Sequence, residues 1–130
     1  PDAAMTRVFA DALKSLGSAT ALVVCGNGAL DESSTDGKTR FAFLRDGVVS
    51  EGEIDAPGVY GERYGVEEIA GGNPEENAMI LKGVLKGGLR GAYRMAAVLN
   101  AAAAIWVANL AGSFEEAISA ACKSIDSGAA

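Results

Sequence analysis

Met5, Val8, Phe9, Ala12, Leu13 and Leu16 recur at three- and four-residue intervals. That spacing predicts an amphipathic helix over residues 4–16. Asp2 can cap its start and Gly17 can end it. Residues 20–25 read Thr-Ala-Leu-Val-Val-Cys, a continuous apolar run. A strand buried on both faces has this pattern, and such strands usually belong to parallel sheets covered by helices. Residues 39–44 and 48–54 are two further apolar runs that flank Asp46-Gly47. An Asp-Gly pair in that setting predicts a hairpin of antiparallel strands.

Residues 56–72 carry Pro57 and five glycines, so an irregular stretch is expected, with one helical turn near 66–69. Asn73, Pro74 and Glu76 form a helix start resembling a capping box. Glu75 and Glu76 then suit the positive end of the helix dipole, and Lys82 and Lys86 the negative end. Gly87-Gly88 is expected to stop this helix. Residues 92–111 are rich in alanine and apolar nearly all round, which predicts a helix buried on most sides and ended by Gly112. Residues 95–112 barely reach membrane-spanning length and are interrupted by Asn100 and Asn109, so a buried helix is the better reading. Ser113-Phe114-Glu115-Glu116 reads as a capping box. Phe114, Ala117, Ile118, Ala121, Cys122 and Ile125 form one stripe of the last helix. The fold class expected is α/β: part of a three-layer α/β domain. Its mixed sheet would combine a buried parallel strand with an antiparallel hairpin, covered by helices. So few strands make a thin sheet, and a lone hairpin is not self-sufficient. Sequence outside this segment, or another chain, is expected to complete the sheet.

The composition narrows the function. The 130 residues are 49% apolar and 22% charged, within the range of a folded domain. The net charge of −6 argues against a nucleic-acid backbone binder. A bound cation could still reverse the local field for a small anionic substrate. The chain has no histidine. A Ser–His–Asp or Cys–His mechanism and a His-ligated zinc are therefore excluded within it. Aromatic residues, at 6%, are too few to suggest a base-stacking platform. Cys25 and Cys122 lie in apolar stretches and are expected to be buried free thiols in a reducing, cytoplasmic setting. The chain begins Pro1-Asp2, and no signal peptide is expected.

Candidate chemistry centres on Gly26-Asn27-Gly28-Ala29-Leu30-Asp31-Glu32, directly after the first strand. Ligands of open α/β sheets bind at the carboxyl ends of strands. Glycines at 26 and 28 allow close backbone approach. Asp31 and Glu32 point in different directions and could hold one or two hard cations, such as magnesium carried with a phosphorylated substrate. The other reading is a solvated pair of loop acids, with Ser33-Ser34 starting a turn. A Rossmann loop is excluded by the absence of the third glycine, and no Walker lysine is present. Helix capping accounts for Asn73, Glu75 and Glu76. Asn100 is an anomaly in an apolar helix and must find partners, either in the core or between helices. Tyr60, Tyr64 and Trp106 read as packing residues.

Residues 21–32, Ala-Leu-Val-Val-Cys-Gly-Asn-Gly-Ala-Leu-Asp-Glu, resemble the "V-V-H-G-x-G-x-D-E" segment of anthranilate phosphoribosyltransferases. Thr35-Asp36-Gly37-Lys38-Thr39 is similar to the family's "T-G-x-T" connection, and Leu44-Arg45-Asp46-Gly47 to its hairpin. Gly71-Gly72-Asn73-Pro74-Glu75-Glu76-Asn77-Ala78 resembles "G-G-x-P-x-x-N-A". Residues 98–104 resemble "L-L-N-A-A-A-A-L", and residues 125–129 resemble the closing "I-D-S-G-x-A". These segments occur in order over nearly the whole chain.

The resemblance implies a magnesium-dependent homodimer that moves a phosphoribosyl group from phosphoribosyl pyrophosphate to anthranilate in tryptophan biosynthesis. By position, the magnesium-binding acids are Asp31 and Glu32. Cys25 stands where the family usually has histidine. The family's glycine-rich phosphate loop, its Lys-His-Gly-Asn element and its anthranilate-binding arginine have no counterpart here. Residues 1–130 are therefore expected to be the C-terminal segment of the α/β domain, without the helical domain, and inactive without the remainder of the enzyme. Two other readings remain: a non-catalytic nucleic-acid-binding relative of the same fold, and a pyrimidine nucleoside phosphorylase. Neither a nucleic-acid nor a membrane partner is expected.

Overall fold

The computed structural model describes residues 2–27 and 30–130. Gly28, expected to bring the loop backbone close to a ligand, lies outside the described residues. Helix α1 (Met5–Ser15) leads to strand β1 (Thr20–Cys25). Strands β2 (Thr39–Arg45) and β3 (Val48–Ile54) follow, then a short helix α2 (Ala56–Tyr60) and a 3-10 turn (Val66–Ile69). Helices α3 (Pro74–Leu85), α4 (Ala92–Val107) and α5 (Phe114–Asp126) complete the chain.

The chain has the α/β fold, with a three-stranded sheet in the order β1-β2-β3. Thr20 pairs with Arg45 across β1 and β2, and Thr39 with Ile54 across β2 and β3. The hairpin forms as expected. Asp46 and Gly47 both take positive φ, 51° and 73°, which matches the twist of the two strands. The mixed sheet takes a different form within these residues: every pairing in it is antiparallel. The second edge of β1 has no partner strand among the described residues. Ala21 to Val24 are accordingly only half-buried, although their sequence is that of a fully covered strand.

Helix α1 lies against the sheet through Thr6 and Ala10, which are buried. Its apolar stripe is largely turned away: Met5, Val8, Phe9 and Leu16 are exposed. On the helical side, α4 and α5 share the main core of Met95, Val98, Leu99, Phe114, Ala117 and Ile118. Full burial of side chains of this kind contributes about 1.5–3 kcal/mol each. Trp106 joins sheet and helices. Its ring meets Phe43 at 4.8 Å, Phe41 at 5.7 Å and Phe114 at 5.9 Å, all edge-on, the arrangement that the ring quadrupoles favour.

Capping accounts for the helix boundaries. In α3, the Glu76 N–H donates to Asn73 Oδ1 and the Asn73 N–H donates to Glu76 Oε2, both at 2.9 Å. Gly87, at φ 71°, ends it. Helix α4 stops at Val107, short of the expected 111, because Asn109 takes the left-handed conformation at φ 58°. There the Leu110 N–H turns back to the Ile105 carbonyl. Burial of α4 is also one-sided, since Ala97, Ala101, Ala104 and Ala108 are exposed. Before α5, Ser113 Oγ accepts from the Glu116 N–H, while Glu116 reaches past Ser113 to the Gly112 N–H at 2.9 Å. Helix α2 arises inside the stretch expected to be irregular. Asp55 caps it by accepting from the Gly58 N–H, and Pro57 stands in its first turn. The 3-10 turn falls on the expected residues. Cys25 is buried and Cys122 half-buried, and both are free thiols.

Candidate functional site

The loop leaving β1 turns on Gly26, whose N–H donates to the Leu30 carbonyl at 3.0 Å. A Cβ on Gly26 would lie 2.6 Å from the Glu32 carbonyl oxygen, so only glycine lets the two backbones meet. The next residues, Ser33, Ser34 and Thr35, are almost wholly buried, as is Thr39 at the start of β2. Buried hydroxyls and amides need partners, and these residues supply one another. The Ser34 N–H donates to Thr39 Oγ1 at 2.8 Å, and Ser34 Oγ donates to Asp36 Oδ1 at 2.6 Å. The Gly37 N–H donates to Ser34 Oγ at 3.1 Å. Thr35 Oγ1 donates to the Tyr64 carbonyl at 2.8 Å, and the Tyr64 N–H returns a bond to the Thr35 carbonyl. Arg63 donates to the Asp36 carbonyl. The segment expected to start a simple turn is therefore a rigid knot, tied to residues 63 and 64.

Asp31 is exposed and Glu32 half-buried at the rim of this knot. Glu32 helps line a mostly apolar cavity of about 310 Å³ between α3, α4 and the 69–71 segment, with Ile80, Val84, Tyr93 and Ala97. Asp31 borders a second cavity of about 350 Å³ between α1 and β1, with Met5, Phe9, Val23 and Cys25. The two neighbouring acids thus look into different spaces, as their adjacency in the sequence suggested. No group of three or more Asp, Glu, Cys or His ligands occurs among the described residues. A cation here would draw at most this pair of carboxylates from the described residues. That is the donor set magnesium accepts when water and phosphate oxygens fill the other positions.

Asn100 is the group that sequence reading placed only in general terms. Its Nδ2 donates to Glu32 Oε2 at 2.7 Å and to the Ala96 carbonyl at 3.0 Å. Its Oδ1 accepts from the Ser33 N–H at 3.1 Å. The anomalous amide of α4 is therefore the tie between that helix and the Asp31-Glu32 loop. Asn77 plays a similar local part in α3, closing two bonds on Gly72. Asn73 and Glu76 serve as caps, and Trp106 packs. Tyr64 does more than pack: its hydroxyl donates to Glu62 at 2.5 Å.

The family profile described as "Glycosyl transferase family, a/b domain" matches residues 2–130. The chain belongs to this family. Among curated relatives, the anthranilate phosphoribosyltransferase of Petrotoga mobilis is 41% identical over 122 residues, covering 94% of this chain and 35% of its own length. That of Methanobrevibacter smithii is 43% identical over 130 residues, covering 99% of this chain and 38% of its own length. Anthranilate phosphoribosyltransferase from Thermus thermophilus superposes with a TM-score of 0.85 at 31% identity, over 96% of this chain and 36% of that one. The Saccharomyces cerevisiae enzyme in complex with PRPP and Mg gives 0.83 at 25% identity, over 95% and 36%. The glycosyl transferase family assignment thus agrees with the motif resemblance. The chain spans about a third of the length of the relatives it matches. No helix among the described residues is long and apolar enough to cross a membrane.

Proposed function

We propose that this chain is the C-terminal α/β segment of an anthranilate phosphoribosyltransferase and that Asp31 and Glu32 are its magnesium ligands. The observation that carries the metal reading is the knot beneath Glu32. A merely solvated acid needs no buried serine–threonine scaffold and no amide fixing one of its oxygens. In the reaction, the bond from the ribose anomeric carbon to pyrophosphate breaks. The amine nitrogen of anthranilate bonds to that carbon and gives up a proton. Bound magnesium would offset the charge of the departing diphosphate. The role of this chain is to present two carboxylates from a rim that the Ser34–Thr39 bonds hold still.

The open faces support a missing remainder. Among the described residues, nothing covers one edge of β1, the apolar stripe of α1 or the alanine face of α4. On this reading the intact enzyme is a cytoplasmic homodimer, and its substrates are phosphoribosyl pyrophosphate and anthranilate. The chain alone has no transferase activity. Turnover of both substrates by the purified segment would overturn that.

The direct test uses the intact enzyme with Asp31→Asn and Glu32→Gln together. Its magnesium requirement should rise steeply, and an unchanged requirement would remove the metal role. Offering the intact enzyme anthranilate and thymidine in parallel separates the transferase from a nucleoside phosphorylase. Salt-dependent DNA binding would favour the nucleic-acid relative instead.

A further inference from the structure

We propose that Asn100 is a positioning residue, which orients the Glu32 carboxylate for its cation. The inference rests on the metal reading of Glu32 given above. Three hydrogen bonds meet at one side-chain amide, and their chemistry leaves it one orientation. Turned over, the amide would set its oxygen against Glu32 Oε2 and the Ala96 carbonyl, and its NH₂ against the Ser33 N–H. All three contacts would be repulsive. The bond to Ala96, one turn back on the same helix, anchors the amide to the rigid backbone of α4. The Ser33 bond holds the loop at the residue after Glu32. The 2.7 Å bond to Oε2 then holds one oxygen of a charged group and restricts the rotation of the carboxylate. A carboxylate held in this way offers its other oxygen in a set direction, without the rotamer search a free glutamate would make. Partners that orient a metal's own ligands are typically worth about 10–100-fold in metal affinity.

The position of Asn100 explains why α4 carries an amide among alanines. A leucine or alanine would strand the Ser33 N–H, which belongs to a buried residue. That cost alone would make Asn100 structural, so the test must separate fixing the loop from fixing the ligand.

In the intact enzyme, Asn100→Ala and Glu32→Gln are compared singly and together. Mn²⁺ binding in the presence of inorganic pyrophosphate is followed by electron paramagnetic resonance. Thermal unfolding is measured in EDTA, and turnover is measured against magnesium concentration. N100A should weaken Mn²⁺ binding by about tenfold or more and raise the magnesium needed for half-maximal rate. Turnover at saturating magnesium should stay near the parent value. In the E32Q background, N100A should cost little further affinity, because its effect passes through Glu32. A lower unfolding temperature with unchanged Mn²⁺ affinity would overturn the proposal, as would losses that simply add in the double variant. If E32Q itself leaves Mn²⁺ affinity unchanged, the metal reading falls, and this inference with it. Should N100A not fold, Asn100→Leu, which restores the side-chain volume, takes its place with the same outcomes.

Discussion

Arg94 reaches from α4 to Asp126 at the end of α5, with Nη2 at 3.1 Å from both carboxylate oxygens. The arginine is almost wholly buried, and its Nη1 has no hydrogen-bond partner among the described residues. Asp126 is half-exposed and is shared with Arg90 at 3.4 Å. The pair closes the α4–α5 layer and gives the terminal Ile-Asp-Ser-Gly segment a structural purpose. Asp126 holds a buried charge, and Gly128, at φ 75°, ends the helix.

Asp126→Ala should therefore destabilise the intact enzyme by about 2–3 kcal/mol. That lies below the about 3–5 kcal/mol of a fully buried pair, because water reaches the carboxylate. Arg94→Met should cost less, since it removes the buried charge itself and leaves Asp126, which water reaches and Arg90 still pairs. Denaturant unfolding of both variants checks the order. An Arg94→Met loss larger than that of Asp126→Ala would contradict it.

Gly26→Ala places a methyl group 2.6 Å from the Glu32 carbonyl, with Leu30 and the Ser34 nitrogen at 3.1 Å. The obstacles are mainly backbone, so the loop has to move. A stability loss of about 1–3 kcal/mol is expected. On the proposed metal reading the magnesium requirement should rise as well, because the same shift displaces Glu32. Magnesium titration of the purified variant shows whether the two effects travel together.

Phe114→Ala removes a buried ring that packs edge-on against Trp106 and fills the α4–α5 core. The expected cost is about 3–5 kcal/mol. The magnesium dependence expected on the proposed metal reading should be unchanged, since Phe114 borders neither cavity beside Asp31 and Glu32. Chemical denaturation with parallel magnesium titration reads both.

Tyr64 donates its hydroxyl proton to Glu62, and this bond pushes the phenol up to about 12. The folded state then keeps a proton that the unfolded chain releases near about 10. The associated stabilisation is complete below the unfolded value and is lost as pH rises through about 12. Tyrosinate absorbance during alkaline titration should show Tyr64 titrating late, alongside Tyr60, whose phenol burial also pushes up. Glu62→Gln should bring Tyr64 back toward the ordinary tyrosine range.

Much of the fold is legible along the chain because it depends on neighbours in sequence. The Asn73–Glu76 cap, the Asp46-Gly47 turn and the stripe of α5 each involve residues only a few positions apart. Even the early end of α4 has a local cause, since an asparagine can take positive φ; the expectation of Gly112 overlooked it. The site was half legible. Asp31 and Glu32 stand out as acids behind a glycine turn, whereas Ser34, Thr35 and Thr39 look like ordinary polar loop residues until burial forces them to bond to one another.

The sequence by itself determined the four long helices, the hairpin and the pair of acids, since backbone preference and capping act over a few residues. Only the tertiary structure decided that β1 pairs antiparallel with β2 and has no strand on its other edge among the described residues. It also decided that Asn100 meets Glu32, a partner 68 positions away. Such contacts depend on how whole elements pack, and no local pattern records which face of a helix will meet which loop.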